Sequence, residues 1–120
     1  MKKTILSGST VTGDLTLGNY IGAINNWTKL QDEYDCLYFL ADLHALTVQQ
    51  DPKVLKERTY SFLAQYVALG LDPQKNIIFA QSHVHQHTEL SWILTCLTPM
   101  GNLNRMTQFK EKSEKHSKNI

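Results

Sequence analysis

The sequence predicts an α/β fold, a parallel sheet flanked by helices. Three observations carry the prediction. Short continuous apolar runs alternate with longer stretches whose apolar residues recur every three or four positions. The runs do not alternate apolar with polar, which is the pattern of parallel strands covered on both faces. Helix boundaries are marked by Asp-Pro and Gly at the expected ends.

The elements follow in order. Thr4-Ile5-Leu6 is a short apolar run and the first strand. From Ser7 to Gly13 every residue except Val11 is Gly, Ser or Thr, which predicts a loop. A helix is expected from about Leu17 to Asp32, with Leu17, Ile21, Ile24, Trp27 (or Thr28) and Leu30 as its apolar stripe. Cys36–Ala41 is the second strand. Asp51 caps the next helix and Pro52 occupies its first turn. Leu55, Thr59, Phe62, Leu63, Tyr66 and Val67 form the stripe of that helix, and Gly70 ends it. Asn76–Gln81 is a third buried strand. Leu90, Ile93, Leu94 and Leu97 mark a further helix up to about Pro99. Lys110–Asn119 holds no apolar residue, so a mobile tail over 110–120 is expected.

At 120 residues the chain fits one domain at most. Twelve Lys+Arg against eleven Asp+Glu give no bulk basic footprint for nucleic acid, though local patches stay open. No run approaches the roughly 18 apolar residues of a membrane span. The lysines near the start precede only a two-residue apolar core, far short of a signal peptide, so a cytoplasmic protein is expected. Cys36 and Cys96 sit in apolar runs without metal or redox spacing and read as buried reduced thiols. Trp27, Trp92, Met100 and Met106 read as core or interface residues.

The first strand empties into Ser7-Gly8-Ser9-Thr10-Val11-Thr12-Gly13, followed by the start of a helix at Thr16-Leu17-Gly18-Asn19. Ligands of open α/β sheets bind outside the carboxyl ends of the strands. Free N–H groups in a first helical turn favour an anion. Thr16 and Asn19 are three apart, on one face of that turn, and both can hydrogen-bond phosphate oxygens. Gly18 between them leaves room for a flat ring. The competing reading is an ordinary strand–helix turn whose glycines serve geometry. Neither the GxGxxG nor the P-loop pattern is present. His83, His85 and His87 would share one face of a strand but are split on a helix. They are read as surface or loop histidines, with no metal site.

Beyond this physical reading, Ser7-Gly8, Thr12-Gly13 and Leu15–Gly22 resemble the N-terminal block of bacterial tryptophanyl-tRNA synthetases. There the HIGH signature of class I synthetases takes the form T-I-G-N or a close variant. The resemblance continues through Ala41–Thr47, Gly70–Pro73, Gln81–Val84, Gly101, Leu103 and Arg105–Ser113. It covers the chain from Thr4 to Ser113.

The resemblance implies the N-terminal part of a Rossmann-like (HUP-type) nucleotide-binding fold. It implies activation of tryptophan by Mg2+ and ATP, transfer to tRNA(Trp), and a homodimer. It assigns ATP contacts to Ser9, Thr10, Thr16, Gly18, Asn19 and Lys112, with Thr16, Asn19 and Lys112 as the catalytic set. Leu6 and His44 fall beside the tryptophan pocket, and Asp42 reads as a helix cap. A complete member is much longer, so the KMSKS loop and the anticodon-binding domain are expected to be absent here, and weak activity or none is expected of these residues alone. Thr10-Val11 stands where the family has Gln-Pro, Leu6 where Phe is common, Leu43 where Gln is usual, and His83 and His85 where acidic and proline residues are common. Two alternatives remain: an ATP-binding half-fold that needs a complementing fragment, and a tyrosyl-tRNA synthetase relative.

Overall fold

The computed structural model describes residues 2–116. The chain divides into two units, one running to Val84 and one beginning at His85. The first unit holds a three-stranded sheet of β1 (Thr4–Thr10), β2 (Asp35–Ala41) and β3 (Ile77–Ala80). Its order is β1-β2-β3, and both pairings are parallel. The expected parallel α/β architecture is therefore present.

β1 runs four residues further than its apolar stretch suggests. Ser7, Gly8, Ser9 and Thr10 are strand rather than loop, paired with Tyr38, Phe39, Leu40 and Ala41. Gly8 is needed because the Phe39 ring lies over it. A Cβ at Gly8 would overlap the Phe39 carbonyl oxygen and stand 2.8 Å from the ring. A small-residue run thus reads as a loop while serving as a strand under an aromatic side chain.

The helix after β1 is a composite. α1 (Leu17–Asn19), a π-helical turn (Tyr20–Ile24) and α2 (Asn25–Leu30) follow without a break. The π turn adds a residue and rotates the stripe. Ile24 and Trp27 are buried as expected, but Leu17 and Ile21 are exposed, and Tyr20 and Ala23 pack on the core instead. After β2 comes the short α3 (Asp42–Ala45), then α4 (Pro52–Ala68). Asp51 caps α4 by accepting from the Lys53 and Val54 N–H groups. At the other end the Leu71 N–H bonds the Tyr66 carbonyl and the Gly70 N–H bonds the Val67 carbonyl. That is a Schellman stop, and Gly70 takes the positive φ of 104° it requires. Gln31 then fastens the turn before β3, donating to the Gly70 carbonyl and accepting from the Asp72 N–H and the Asn76 amide.

The core sits on one face of the sheet. Tyr38 is fully buried, stacked on Trp27 at 4.8 Å, and its hydroxyl donates to the Trp27 carbonyl. Trp27 meets Tyr66 edge-on at 5.4 Å. Residues of α2 and of α4 therefore cover the same side of β2. This corrects the expectation of strands covered on both faces. Successive right-handed crossovers between neighbouring strands in the order 1-2-3 place both sets of crossover helices on one side. On the other face Leu6 and Ile77 are more than 60% exposed, and two residues further along β2 and β3 Phe39 and Phe79 stack at 5.8 Å. Ile77 is exposed and Ile78, Phe79 and Ala80 are half-buried, so β3 is not the fully buried strand expected.

The second unit consists of α5 (His85–Leu97), α6 (Met100–Leu103) and α7 (Thr107–His116). Residues 110–116, expected as tail, are helical; the rest of that expectation lies outside the described residues. Trp92, Met100 and Met106 are exposed, and so is Cys96, contrary to the buried reading; Cys36 is buried. Among the described residues no helix is long and apolar enough to cross a membrane.

Two outcomes are expected. Gly8→Ala should lower stability by about 1–3 kcal/mol because a packed site is overfilled, whereas Gly22→Ala, with open space around it, should not destabilise. Chemical denaturation reads both. Burial holds the Tyr38 and Tyr66 hydroxyls above their ordinary pKa. Folding then favours their protonated forms, so stability is full below pH of about 10 and falls as pH rises through it. A Tyr38→Phe, Tyr66→Phe double variant should flatten that alkaline loss in thermal melts.

Candidate functional site

Thr10 pairs with Ala41, so the carboxyl ends of β1 and β2 open side by side. From there the chain crosses to α1 through 11–16. Val11 is fully buried and Leu15 packs against the core, so two apolar side chains anchor a segment without regular structure.

Thr16 and Asn19 close a reciprocal capping box. The Thr16 hydroxyl accepts from the Asn19 N–H at 3.3 Å, and Asn19 Oδ1 accepts from the Thr16 N–H at 2.9 Å. The Thr16 hydroxyl also donates to Asn19 Oδ1 at 2.8 Å. The two side chains share one face, as their spacing predicts, but they hold each other. What faces outward is the Asn19 Nδ2 amide, which takes no part in these bonds, with the Leu17 and Gly18 N–H groups. Those lie in the first turn and have no carbonyl within the helix to meet. All of these are donors at the positive end of a helix, suited to an anion. The space beside Gly18 is open, its nearest neighbour being the Thr16 hydroxyl at 3.6 Å from an added Cβ.

The other assigned residues divide by strand face. Leu6 and Thr10 are exposed and, by strand alternation, share the uncovered face with Gly8. Ser9 points the opposite way. Its hydroxyl bonds the Tyr66 hydroxyl at 2.6 Å, so its side chain is committed to the core side rather than to a ligand on the Leu6 face.

His44 lies on α3, exposed, just beyond β2. Its Nδ1 is 2.8 Å from Gln81 Oε1. With that oxygen as acceptor, Nδ1 carries the proton and Nε2 is left to accept. Asp42 is structural, as expected, but not as a simple cap. One oxygen accepts from the Leu43 and Ser82 N–H groups and the other from the Ser82 hydroxyl. Asp42 and His44 on one side and Gln81 and Ser82 on the other thus lock the ends of β2 and β3 together. Sequence pattern did not mark Gln81 and Ser82 physically; their place just after a parallel strand was the available signal.

A cavity of about 580 Å3 opens between α3, α4 and the end of β3, floored by Leu40, Leu55, Leu63 and Ile78. None of the assigned site residues lines it, so size alone does not mark the chemistry. Lys112 belongs to the second unit, exposed on α7. His83 ends a 3-10 turn and His85 and His87 begin α5. Among the described residues no group of three or more His, Cys, Asp or Glu is arranged to hold a metal.

A strand–loop–helix unit whose first turn leaves its N–H groups free at the carboxyl end of a parallel sheet is the place where open α/β folds receive a ligand. The chain belongs to the class I tRNA synthetases (W and Y), whose family pattern it matches over residues 2–120. It is 58% identical over 119 residues to a tryptophan–tRNA ligase of Clostridium tetani, covering 99% of this chain and 35% of that protein. It is 59% identical over 113 residues to the Rickettsia conorii tryptophan–tRNA ligase, covering 94% of this chain and 34% of that one. Among solved structures, tryptophanyl-tRNA synthetase from Campylobacter jejuni complexed with ADP and tryptophan superposes with a TM-score of 0.83 at 40% identity, over 93% of this chain and 35% of that one. The Mycoplasma pneumoniae tryptophanyl-tRNA synthetase gives 0.86 at 36% identity, over 96% and 33%. The chain thus spans about a third of the length of the relatives it matches, and the fold is the Rossmann-like one of the class I enzymes.

Asp42→Ala is expected to cost about 1–3 kcal/mol, because the Ser82 N–H and hydroxyl lose their acceptor in a half-buried place. Amide exchange at Ser82 should accelerate more than at Tyr38.

Proposed function

We propose that the chain carries the nucleotide-binding N-terminal part of a tryptophan–tRNA ligase. The reaction joins tryptophan to ATP, the carboxylate oxygen attacking the α-phosphorus and pyrophosphate leaving. The tryptophanyl group then passes to the 3′ end of tRNA(Trp), releasing AMP. The single observation that carries the reading is the capped first turn, Thr16–Asn19, at the carboxyl end of β1 in a chain so close to those ligases along its whole length.

In this reading Asn19 Nδ2 and the Leu17 and Gly18 N–H groups hold phosphate oxygens, and Thr16 fixes Asn19 so that its amide faces them. The adenosine lies against the open side of Gly18. Neutral donors of this kind fit a phosphate chain, and Mg2+ comes with ATP, bound by phosphate oxygens and water. The family resemblance assigns Lys112 to the leaving pyrophosphate. Leu6 offers an apolar wall and His44 Nε2 an acceptor beside tryptophan. Much of the catalytic contribution of such a site is positioning and charge stabilisation of the transferring phosphoryl group. Exposed Leu90, Ile93, Leu94 and Leu97, three or four apart on one face of α5, supply an apolar surface for a second copy. The cytoplasm, which holds the tRNA, is the compartment such a reaction requires.

Asn19→Asp separates binding from folding. It keeps the Oδ1 acceptor for the Thr16 N–H, loses the Nδ2 donor and adds a negative charge. ATP affinity by calorimetric titration should fall by about tenfold or more while the melting temperature holds. Equal affinity in Asn19→Asp and Thr16→Ala would remove the assignment. Pyrophosphate exchange that depends on tyrosine instead of tryptophan would move the reading to the tyrosyl branch.

A further inference from the structure

The segment 11–16 must keep one shape if the first turn of α1 is to meet a phosphate chain. Val11 and Leu15 anchor it by apolar contact, but its backbone has no ladder to bond. Irregular backbone needs its polar groups satisfied somewhere. One partner comes from α4: Arg58 Nη1 donates to the Thr12 carbonyl at 3.3 Å. The same nitrogen donates to Gln50 Oε1 at 3.2 Å, so Gln50 holds the guanidinium in place from the connection before α4. Two turns further along α4, with buried Phe62 between, Tyr66 bonds Ser9 at the end of β1. One helix therefore grips the β1–α1 connection at both its strand end and its middle.

The geometry points to Arg58 as a positioning residue for the nucleotide segment, acting through the Thr12 carbonyl and itself oriented by Gln50. This deepens, and rests on, the reading of Thr16–Asn19 as the phosphate site. Arg58 does not reach the ligand in this account. It fixes the course of 12–16 and adds a positive charge beside it, which favours a polyanion.

The test compares the wild-type chain with Arg58→Met, which keeps the stem and removes the donors, and Arg58→Lys, which restores a cation with enough N–H groups for both acceptors. Amide exchange is followed at residues 12–19 and at Tyr38 and Leu40, and ATP affinity is titrated alongside. Arg58→Met should speed exchange at 12–19 but not in β2, and weaken ATP binding by about tenfold; Arg58→Lys should recover most of both. Unchanged exchange at 12–19 in Arg58→Met overturns the anchoring. Faster exchange there with unchanged ATP affinity overturns its link to the nucleotide. Equal loosening of β2 would mark Arg58 as a general stabiliser and also overturn the proposal. If the wild-type chain binds ATP no better than Asn19→Asp while Arg58→Met still loosens 12–19, the phosphate-site reading fails, the anchor stands as a purely structural contact, and the positioning role is overturned with that reading.

Discussion

The stacking of Tyr38 on Trp27 is the contact on which the first unit depends. Tyr38 stands in the central strand, and its ring and hydroxyl both engage Trp27 of α2. Trp27 in turn meets Tyr66 of α4, and Tyr66 reaches Ser9 at the end of β1. A chain of aromatic contacts therefore runs from the sheet, through both crossover helices, and back to the strand that feeds the candidate site. Aromatic pairs add about 0.5–1.5 kcal/mol beyond the area they bury. Here they also fix geometry, because each ring is held from two directions.

The sheet order has a consequence for the site. With β1-β2-β3 adjacent and parallel, both long helical stretches lie on the Tyr38 face. The opposite face carries Leu6, Phe39, Ile77 and Phe79, with the two phenylalanines stacked and Leu6 and Ile77 exposed. That is the face on which Leu6 and Thr10 stand. Ser9 is turned away from it by strand alternation. A single residue of register thus separates side chains open to a ligand from one bonded into the core.

Much of this was legible in the sequence. Asp51-Pro52 and Gly70 mark α4 through local chemistry, so its limits follow from the residues themselves. Cys36–Ala41 is apolar enough to read as a strand in any context. The Thr16–Asn19 pair is visible because a capping box is a local spacing. What was not legible depended on distant partners. Ser7–Thr10 reads as loop, and becomes strand only because β2 pairs with it and Phe39 covers Gly8. Leu17 and Ile21 fit a helical stripe, and the π turn at Tyr20–Ile24 rotates them away from it. Arg58 and Tyr66 carry no motif, and their bonds to Thr12 and Ser9 cross 46 and 57 residues.

The sequence by itself determined the alternation of strands and helices, the limits of α4, the polar turn that opens α1 and, through resemblance, the family. These rest on local rules, namely caps, periodicity and motif spacing, which act over a few residues. Tertiary structure alone decided which face of the sheet is covered, which way Ser9 points, how Asp42 and His44 join the ends of β2 and β3, and what steadies the segment between β1 and α1. Those outcomes are set by strand order and by bonds between residues far apart in the chain, and no local pattern encodes either.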